Sequence, residues 1–291
     1  MSNSGQKNDK KAFTLVEILV VIAVVGLLGS IIFAITRGAN EQGRIAKGLY
    51  FSQHLHNSLG SWAAGIWSFD EGSGTTANDI SGWDNNGTLV NTPTWRCATT
   101  DSSYTPSGQG CSLEFDGVDD YVNAGSGSSL NLDTVFTYEF WIKTSAQYKA
   151  IYNAASGGPT TGIFEIWVGT GGPLRVSIWG VQNVLISNSS VATGNWIHCA
   201  VVRTSDNNWY IYLNGVLDKS TSSTNKPTVW GSKYIGYGYS TGYFNGLIDE
   251  VRIYATSLTA AQIQSQYYTG LERLLAKDKI TEQEYVQRLA L

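Results

Sequence analysis

The sequence predicts a mainly β protein: an antiparallel sandwich or jelly roll, preceded by a long N-terminal helix and followed by a short helical hairpin. Three observations carry this reading. Gly (32), Trp (10) and Tyr (16) are abundant across 291 residues while Met (1) and Pro (5) are scarce, a usage that suits turn-rich aromatic strands. From residue 64 onward, clusters of Gly, Ser, Asn and Asp interrupt short aromatic and β-branched runs roughly every ten residues. Ahead of that body, residues 13–35 are almost wholly apolar and long enough for one membrane-crossing helix.

Composition narrows the chemistry. With 19 Lys+Arg against 23 Asp+Glu and a net charge of −4, the chain offers no broad cationic surface, so no nucleic acid is expected as a partner. Three Cys and three His, without Cys-x-x-Cys or His-x-x-x-His, leave no basis for a zinc or haem site.

The apolar run at 13–35 exceeds the h-region of a secretory signal peptide, which runs about 7–15 residues. Lys7, Lys10 and Lys11 precede it and one Arg37 follows it, which places the N-terminus in the cytoplasm and the remainder outside. Glu17 lies inside the span, where an ionised carboxylate costs about 2.5–3.5 kcal/mol on insertion scales. The stretch Lys11-Ala12-Phe13-Thr14-Leu15-Val16-Glu17 resembles the prepilin signature of type IV pilins and type II secretion pseudopilins, with Ala12 where Gly is usual. The resemblance implies cleavage between Ala12 and Phe13 by a prepilin peptidase, methylation of the Phe13 amine, and a role for Glu17 in assembly. Paired with a neighbouring subunit's Phe13 ammonium, Glu17 becomes half of a salt bridge in the fibre. The alternative is an uncleaved signal anchor whose Glu17 reaches to the interface. Ile45, Leu49, Leu55, Leu59 and Trp62 then recur at imperfect helical spacing, so the helix is expected to run on to residue 63.

In the body, strands are expected at 65–69, 112–115, 136–143, 163–168, 174–179, 196–203, 209–213 and 246–254, with a hairpin turn at Asn214-Gly215. Several blocks resemble the laminin-G-like, concanavalin A-like jelly-roll family. They are Trp67-Ser-Phe-Asp-Glu71, Asp79-Ile-Ser-Gly82, Asn85-Asn-Gly87, Cys111-Ser-Leu-Glu-Phe-Asp-Gly117, Asp119-Asp-Tyr-Val122, Trp196-Ile-His198, Tyr212-Leu-Asn-Gly215 and Asn245-Gly-Leu-Ile-Asp-Glu-Val-Arg-Ile-Tyr254. The organisation expected is a leader at 1–12, a transmembrane and stalk helix at 13–63, a jelly-roll domain at 64–269 and a helical hairpin at 270–291.

That family often carries a structural calcium ion tying the early loops to the last strand, and the resemblance points to Asp79, Asn85 and Asp249 as its ligands. Calcium takes six to eight oxygens, which carboxylate, amide and backbone groups there can supply. The competing reading is that Asp79 and Asn85 form Asx turns while Asp249 pairs with Arg252 or caps backbone amides. Asp70, Asp116 and Asp120 read as turn formers. No catalytic residue is assigned, because glucanases on this fold need two carboxylates converging on one cleft. Glu139 and Glu165 each stand alone in an aromatic strand, and His198 reads as core.

Trp167, Trp179, Trp230, Tyr237, Tyr239 and Tyr243 are candidates for stacking against sugar C–H groups, although most aromatics in a sandwich of this size are core. Cys97 and Cys111 bracket a polar loop in an exported domain and are expected to form a disulfide, worth roughly 3 kcal/mol for a loop of about 15 residues. Cys199, in an apolar strand, is expected as a buried thiol. Thr259-Ala-Ala-Gln262 and Thr281-Glu-Gln-Glu284 read as capping boxes. Leu271, Leu274, Leu275, Ile280, Tyr285 and Leu289 form the apolar seam of the tail, which either oligomerises or folds back on the sandwich or the stalk.

Together these readings describe a single-pass membrane protein that becomes a pilin-like subunit of a type IV pilus or related fibre. It contacts other subunits through its N-terminal helix and displays a lectin-like domain for adhesion to glycan or protein. A type II secretion pseudopilin and a membrane-anchored glycan-active enzyme are the alternatives.

Overall fold

The computed structural model describes residues 59–107, 109–154, 162–180, 182–228 and 231–276, together with Thr281, Gln283 and Tyr285. All lie in the unit Gly48–Leu291. The expected leader and membrane span, with Ala12, Phe13 and Glu17, and the expected stalk as far as residue 58 lie outside the described residues. The stalk helix does not reach residue 63 as expected: Gly60–Trp62 form a single 3-10 turn and Ala63 already opens a strand.

Among the described residues, eighteen strands follow in chain order. They begin with β1 (Ala63–Trp67), β2 (Thr76–Ala77), β3 (Gly87–Val90), β4 (Thr94–Cys97), β5 (Cys111–Asp116) and β6 (Tyr121–Asn123). The middle of the domain supplies β7 (Phe136–Lys143), β8 (Lys149–Ala154), β9 (Phe164–Val168), β10 (Pro173–Ile178), β11 (Gln182–Ser190) and β12 (Trp196–Arg203). Last come β13 (Asn208–Leu213), β14 (Val216–Ser222), β15 (Lys233–Ile235), β16 (Tyr237–Gly238), β17 (Gly242–Tyr243) and β18 (Asn245–Tyr254), before helix α1 (Ala260–Ala276).

Two antiparallel sheets stack face to face. The first runs β14-β13-β12-β7-β18-β5-β4, with β1 also on β18; the second runs β11-β10-β9-β8-β15-β6-β3-β2. Strand β18 pairs β7 along one edge and two strands along the other, bulging between Asp249 and Arg252, where Glu250 takes φ 50. Its first half pairs β5 and its second half β1. The core between the sheets is aromatic: the Phe136 ring meets Tyr138, Phe164 and Trp209 at centroid distances of 5.2, 5.6 and 5.5 Å. All four are buried, and such rings bury about 150–250 Å² each, which is why so few sequence positions fill so large a sandwich. At one edge Asp218 of β14 accepts a bond from Ser189 N of β11 (3.1 Å), tying the two sheets together.

The expected strands with strict alternation are found within two residues of their predicted ends, and Asn214-Gly215 turns β13 into β14 with φ 50 and 77. Strands β2, β3, β4, β6, β8, β11, β14, β15, β16 and β17 were not expected. Several are only two to four residues long, too few for alternation to be recognised in the sequence, and β14 is exposed along most of its length. Cys97 and Cys111 are bonded across the β4–β5 pair, in which they stand directly opposite each other. Cys199 is a free, buried thiol.

Helix α1 opens on the expected capping box: Gln262 N donates to Thr259 Oγ1 (3.3 Å) and Thr259 N donates to Gln262 Oε1 (2.8 Å). It runs unbroken across the boundary expected at 269–270. Ile263 and Leu271 are buried against the first sheet's outer face. Tyr285 N donates to Thr281 O, and the Tyr285 ring is buried with Trp141, Tyr267 and Leu271. This part of the tail folds back on the sandwich.

Candidate functional site

The outer face of the second sheet carries an open groove of 520 Å³. Its floor follows from strand alternation. In β10, Leu174, Val176 and Ile178 point into the core, which turns Arg175 and Ser177 outward. In β9, Phe164, Ile166 and Val168 point inward and Glu165 and Trp167 outward. Trp167 is held in place by its Nε1, which donates to Ser177 Oγ (2.8 Å), and by the Arg175 guanidinium 5.3 Å from its ring centroid.

The walls are aromatic. Trp179 extends β10, its N donating to Ile163 O (2.8 Å) and its O accepting from Gly162 N (3.0 Å), and its side chain is 41% exposed. Tyr148 is 54% exposed and meets Trp167 edge-on at 5.3 Å. It takes φ 58, a left-handed conformation that L-residues adopt at a cost, as at many ligand sites. The third wall is the hairpin β16–β17, whose Tyr239 is 59% exposed and meets Trp179 edge-on at 6.0 Å.

Gly238 lets that hairpin lie flat on the sheet. A Cβ there would come within 2.5 Å of Ala150 Cβ and 3.0 Å of Glu165 Oε1. The hairpin is pinned through Glu165, a buried carboxylate that accepts from Ser240 N (3.0 Å), Ser240 Oγ and Asn153 Nδ2 (3.2 Å). Thr241 Oγ1, also lining the groove, is buried with no hydrogen-bond partner. The groove therefore offers aromatic faces and a threonine hydroxyl unsatisfied among the described residues, the mixed apolar and polar lining that sugar rings require.

Among the stacking candidates, Trp167, Trp179 and Tyr239 stand on this groove, while Tyr237 and Tyr243 lie on the far flank of the hairpin. Trp230 lies outside the described residues. Tyr148, Ser240 and Thr241 were not singled out from the sequence. The Gly-Tyr run at 236–243 was the available signal for the last two, and nothing in the local pattern marks Tyr148.

Asp79 and Asn85 do come together, with Asn85 N donating to Asp79 Oδ2 (2.9 Å). Asp79 also accepts from Ile66 N (2.8 Å), Ser81 N (2.9 Å) and Ser81 Oγ (2.8 Å), and Asn85 Nδ2 donates to Ala64 O and Ser129 Oγ. Four protein donors thus occupy both oxygens of Asp79, an Asx-turn arrangement that a cation would have to displace. Asp249 is buried and accepts from Glu250 N (2.8 Å), and its carboxyl is held well above the usual range by burial, then by the charges of Glu250 and Asp70. Among the described residues no hydrogen bond joins it to Asp79 or Asn85. Asp70, Asp116 and Asp120 cap backbone amides: Cys111 N, Val118 N and Asp116 N respectively.

Glu139 and His198 lie on the opposite face, buried under α1, with His198 Nε2 3.8 Å from Glu139 Oε1. That distance is too long for a hydrogen bond. Burial pushes the Glu139 carboxyl up to about 8 against the pull of Arg252, and pushes His198 down to about 3, so near pH 7 the two form no ion pair.

A family model described as the concanavalin A-like lectin/glucanases superfamily matches residues 116–264, and a model of the prokaryotic N-terminal methylation motif matches residues 7–33. No curated protein matches the sequence. Among solved structures, domain 4 of AbnA, a GH43 extracellular arabinanase from Geobacillus stearothermophilus, in complex with arabinotriose, is 18% identical. The match covers 70% of this chain and 97% of that one, with a TM-score of 0.55. The botulinum neurotoxin serotype D binding domain is 14% identical over 74% of this chain and 52% of that one, with a TM-score of 0.56. The binding domain of paraclostridial mosquitocidal protein 1 is 13% identical over 72% and 53%, with a TM-score of 0.52. The chain spans about half the length of these toxin domains. At such identities the likeness is one of fold.

Proposed function

We propose that this chain, which belongs to the concanavalin A-like lectin/glucanases superfamily and carries the prokaryotic N-terminal methylation motif, is a pilin-like subunit whose sandwich binds a saccharide in the groove between Trp179 and the β16–β17 hairpin. The methylation motif implies processing by a prepilin peptidase and assembly through the N-terminal segment, so the chain is membrane-anchored first and fibre-bound afterwards. We place the cut between Ala12 and Phe13 and assign Glu17 to assembly. In the fibre the sandwich is then an adhesive surface.

The observation that carries the binding half is the groove's lining: three aromatic walls around a floor with hydroxyls. The arabinotriose bound to domain 4 of the arabinanase supports a saccharide as the kind of ligand such a sandwich takes. We read the groove as binding without cleaving. Glu165 is the acidic residue among those that line it, and its oxygens are engaged by Ser240 and Asn153. Glycoside hydrolysis needs a second carboxyl about 5–9.5 Å away across the bond.

The test is affinity electrophoresis of the full-length, detergent-solubilised chain in native gels containing arabinan, xylan, mixed-linkage β-glucan or galactomannan. At least one is expected to retard the wild type, and Trp179→Ala is expected to weaken that retardation at least tenfold without lowering the melting temperature. Unretarded migration of the wild type in all four, or full retardation of Trp179→Ala, would refute the assignment.

A further inference from the structure

The hairpin that walls the groove has a second flank, and that flank is also aromatic. Tyr121 of β6, Tyr234 of β15 and Tyr237 and Tyr243 of the hairpin form one cluster. Tyr237 lies 5.0 Å from Tyr243, 5.5 Å from Tyr234 and 5.6 Å from Tyr121, and Tyr121 lies 5.7 Å from Tyr234. The cluster is not part of the core. Val122 and Ile235, next to Tyr121 and Tyr234 in their strands, point inward, so the tyrosines point outward, and all four are half-buried. None of their hydroxyls bonds to another group among the described residues. Burial, as the largest cause, raises the phenols of Tyr121 and Tyr237 above their ordinary value, which keeps both protonated and able to donate.

The two flanks belong to one continuous band. Strand register aligns Ser177, Glu165, Asn153, Tyr234, Asn123 and Thr88 in a single row across β10, β9, β8, β15, β6 and β3. At about 4.8 Å per strand the row is about 24 Å long. The hairpin crosses it midway, burying Asn153 and Glu165, and leaves the Trp167–Trp179 groove on one side and the tyrosines on the other. Tyr239 stands exposed on the hairpin beside the groove.

We propose that the tyrosine cluster is a second sugar-contacting subsite, and that the ligand is an extended, chain-like polysaccharide lying across both flanks of the hairpin rather than a terminal sugar held in the groove alone. This rests on the saccharide reading of the groove and specifies its ligand class. A chain following the row places rings on Trp179, over Tyr239 and against Tyr121 and Tyr237, with phenol hydroxyls donating to sugar oxygens. Each subsite adds contact without a new ordering cost for a stiff chain, so affinity grows with length.

The test titrates the full-length chain with oligosaccharides of two, three, six and eight residues, cut from whichever of arabinan, xylan, mixed-linkage β-glucan or galactomannan retards it. Affinity is expected to rise at least tenfold between the trimer and the octamer. Tyr121→Ala, outside the hairpin, should remove most of that gain and leave trimer affinity unchanged, which also reports that the groove is still folded, and Tyr237→Ala should likewise remove most of the gain. Tyr237→Phe, which keeps the ring, should retain part of the gain. Trp179→Ala should weaken every length. Equal affinity at all lengths, or a gain that both tyrosine-to-alanine variants preserve, overturns the second subsite while the groove reading stands. If no polymer retards the wild type, the groove reading falls and the subsite with it.

Discussion

The outer faces of the two sheets are built from the same alternation and end differently. On the first sheet the face turned away from the core carries Trp141, His198, Glu139 and Arg252, and helix α1 closes over it with Ile263, Tyr267 and Leu271. Arg252 reaches the helix through Gln266 (3.3 Å) and pairs with Glu250. On the second sheet the corresponding face meets a two-strand hairpin rich in glycine, which covers one stripe and leaves a groove beside it. A helix some 25 Å long shields a broad face, whereas a narrow ribbon leaves its flanks open. Closure makes the first face a stability element, and its absence leaves the second open as the face to which we assign the saccharide.

That contrast can be broken from either side. The largest effect is expected from Leu271→Ala, which empties a fully buried position under α1 and should cost about 2–5 kcal/mol of stability, read from denaturant unfolding. Polysaccharide retardation by the still-folded fraction should be unchanged. A loss of retardation at a temperature where the variant is folded would mean that the two faces are coupled. Gly238→Ala acts on the other face. Its new methyl meets Ala150 and Thr241, so the hairpin must lift, at about 1–3 kcal/mol, and binding should fall together with the Trp179–Tyr239 contact. Unaltered binding would show that the hairpin is not a wall of the site.

Glu139→Gln sharpens the comparison through pH. The folded pKa of Glu139 stands near 8, above its ordinary value of 4.5, so its contribution is fully present below 4.5 and is lost as pH rises through about 8. His198 works in the opposite direction: its folded value near 3 lies below 6.5, so its contribution is present above 6.5 and is lost as pH falls through about 3. The melting temperature of Glu139→Gln relative to wild type should therefore rise between pH 5 and pH 9 by several degrees. A difference that does not vary with pH would mean that the carboxyl is charged throughout. The smallest effect is expected from chelation. Because Asp79 is already saturated by four protein donors, EDTA should leave the melting curve unchanged, and a lowered midpoint would show that a divalent ion displaces those bonds.

Legibility in the sequence followed the strength of local signals. The long alternating strands β7, β12 and β13, the Asn214-Gly215 turn, the Cys97–Cys111 pair and the Thr259 capping box all depend on residues close in the chain. The short strands β2, β3 and β6 exist because neighbours such as β15 supply hydrogen bonds, which no local pattern records. The stacking candidates were half legible. Trp179 and Tyr239 were recognisable as aromatics in a Gly-rich context, but Tyr148 reaches the groove through a turn conformation that its sequence does not announce.

By itself the sequence determined the class of the protein: an apolar, motif-bearing N-terminus on a β-rich, aromatic body whose strand period fixes which side chains share a face. It could not determine which face is covered. Alternation always produces two faces, and the choice between core, covered face and open groove depends on contacts between residues far apart in the chain. Glu165 meets Ser240 across 75 positions, and Trp141 meets Tyr267. Only the stacking of the sheets, the return of α1 and the crossing of the hairpin bring those groups together, and each arises from burial summed over the whole fold rather than from any local propensity.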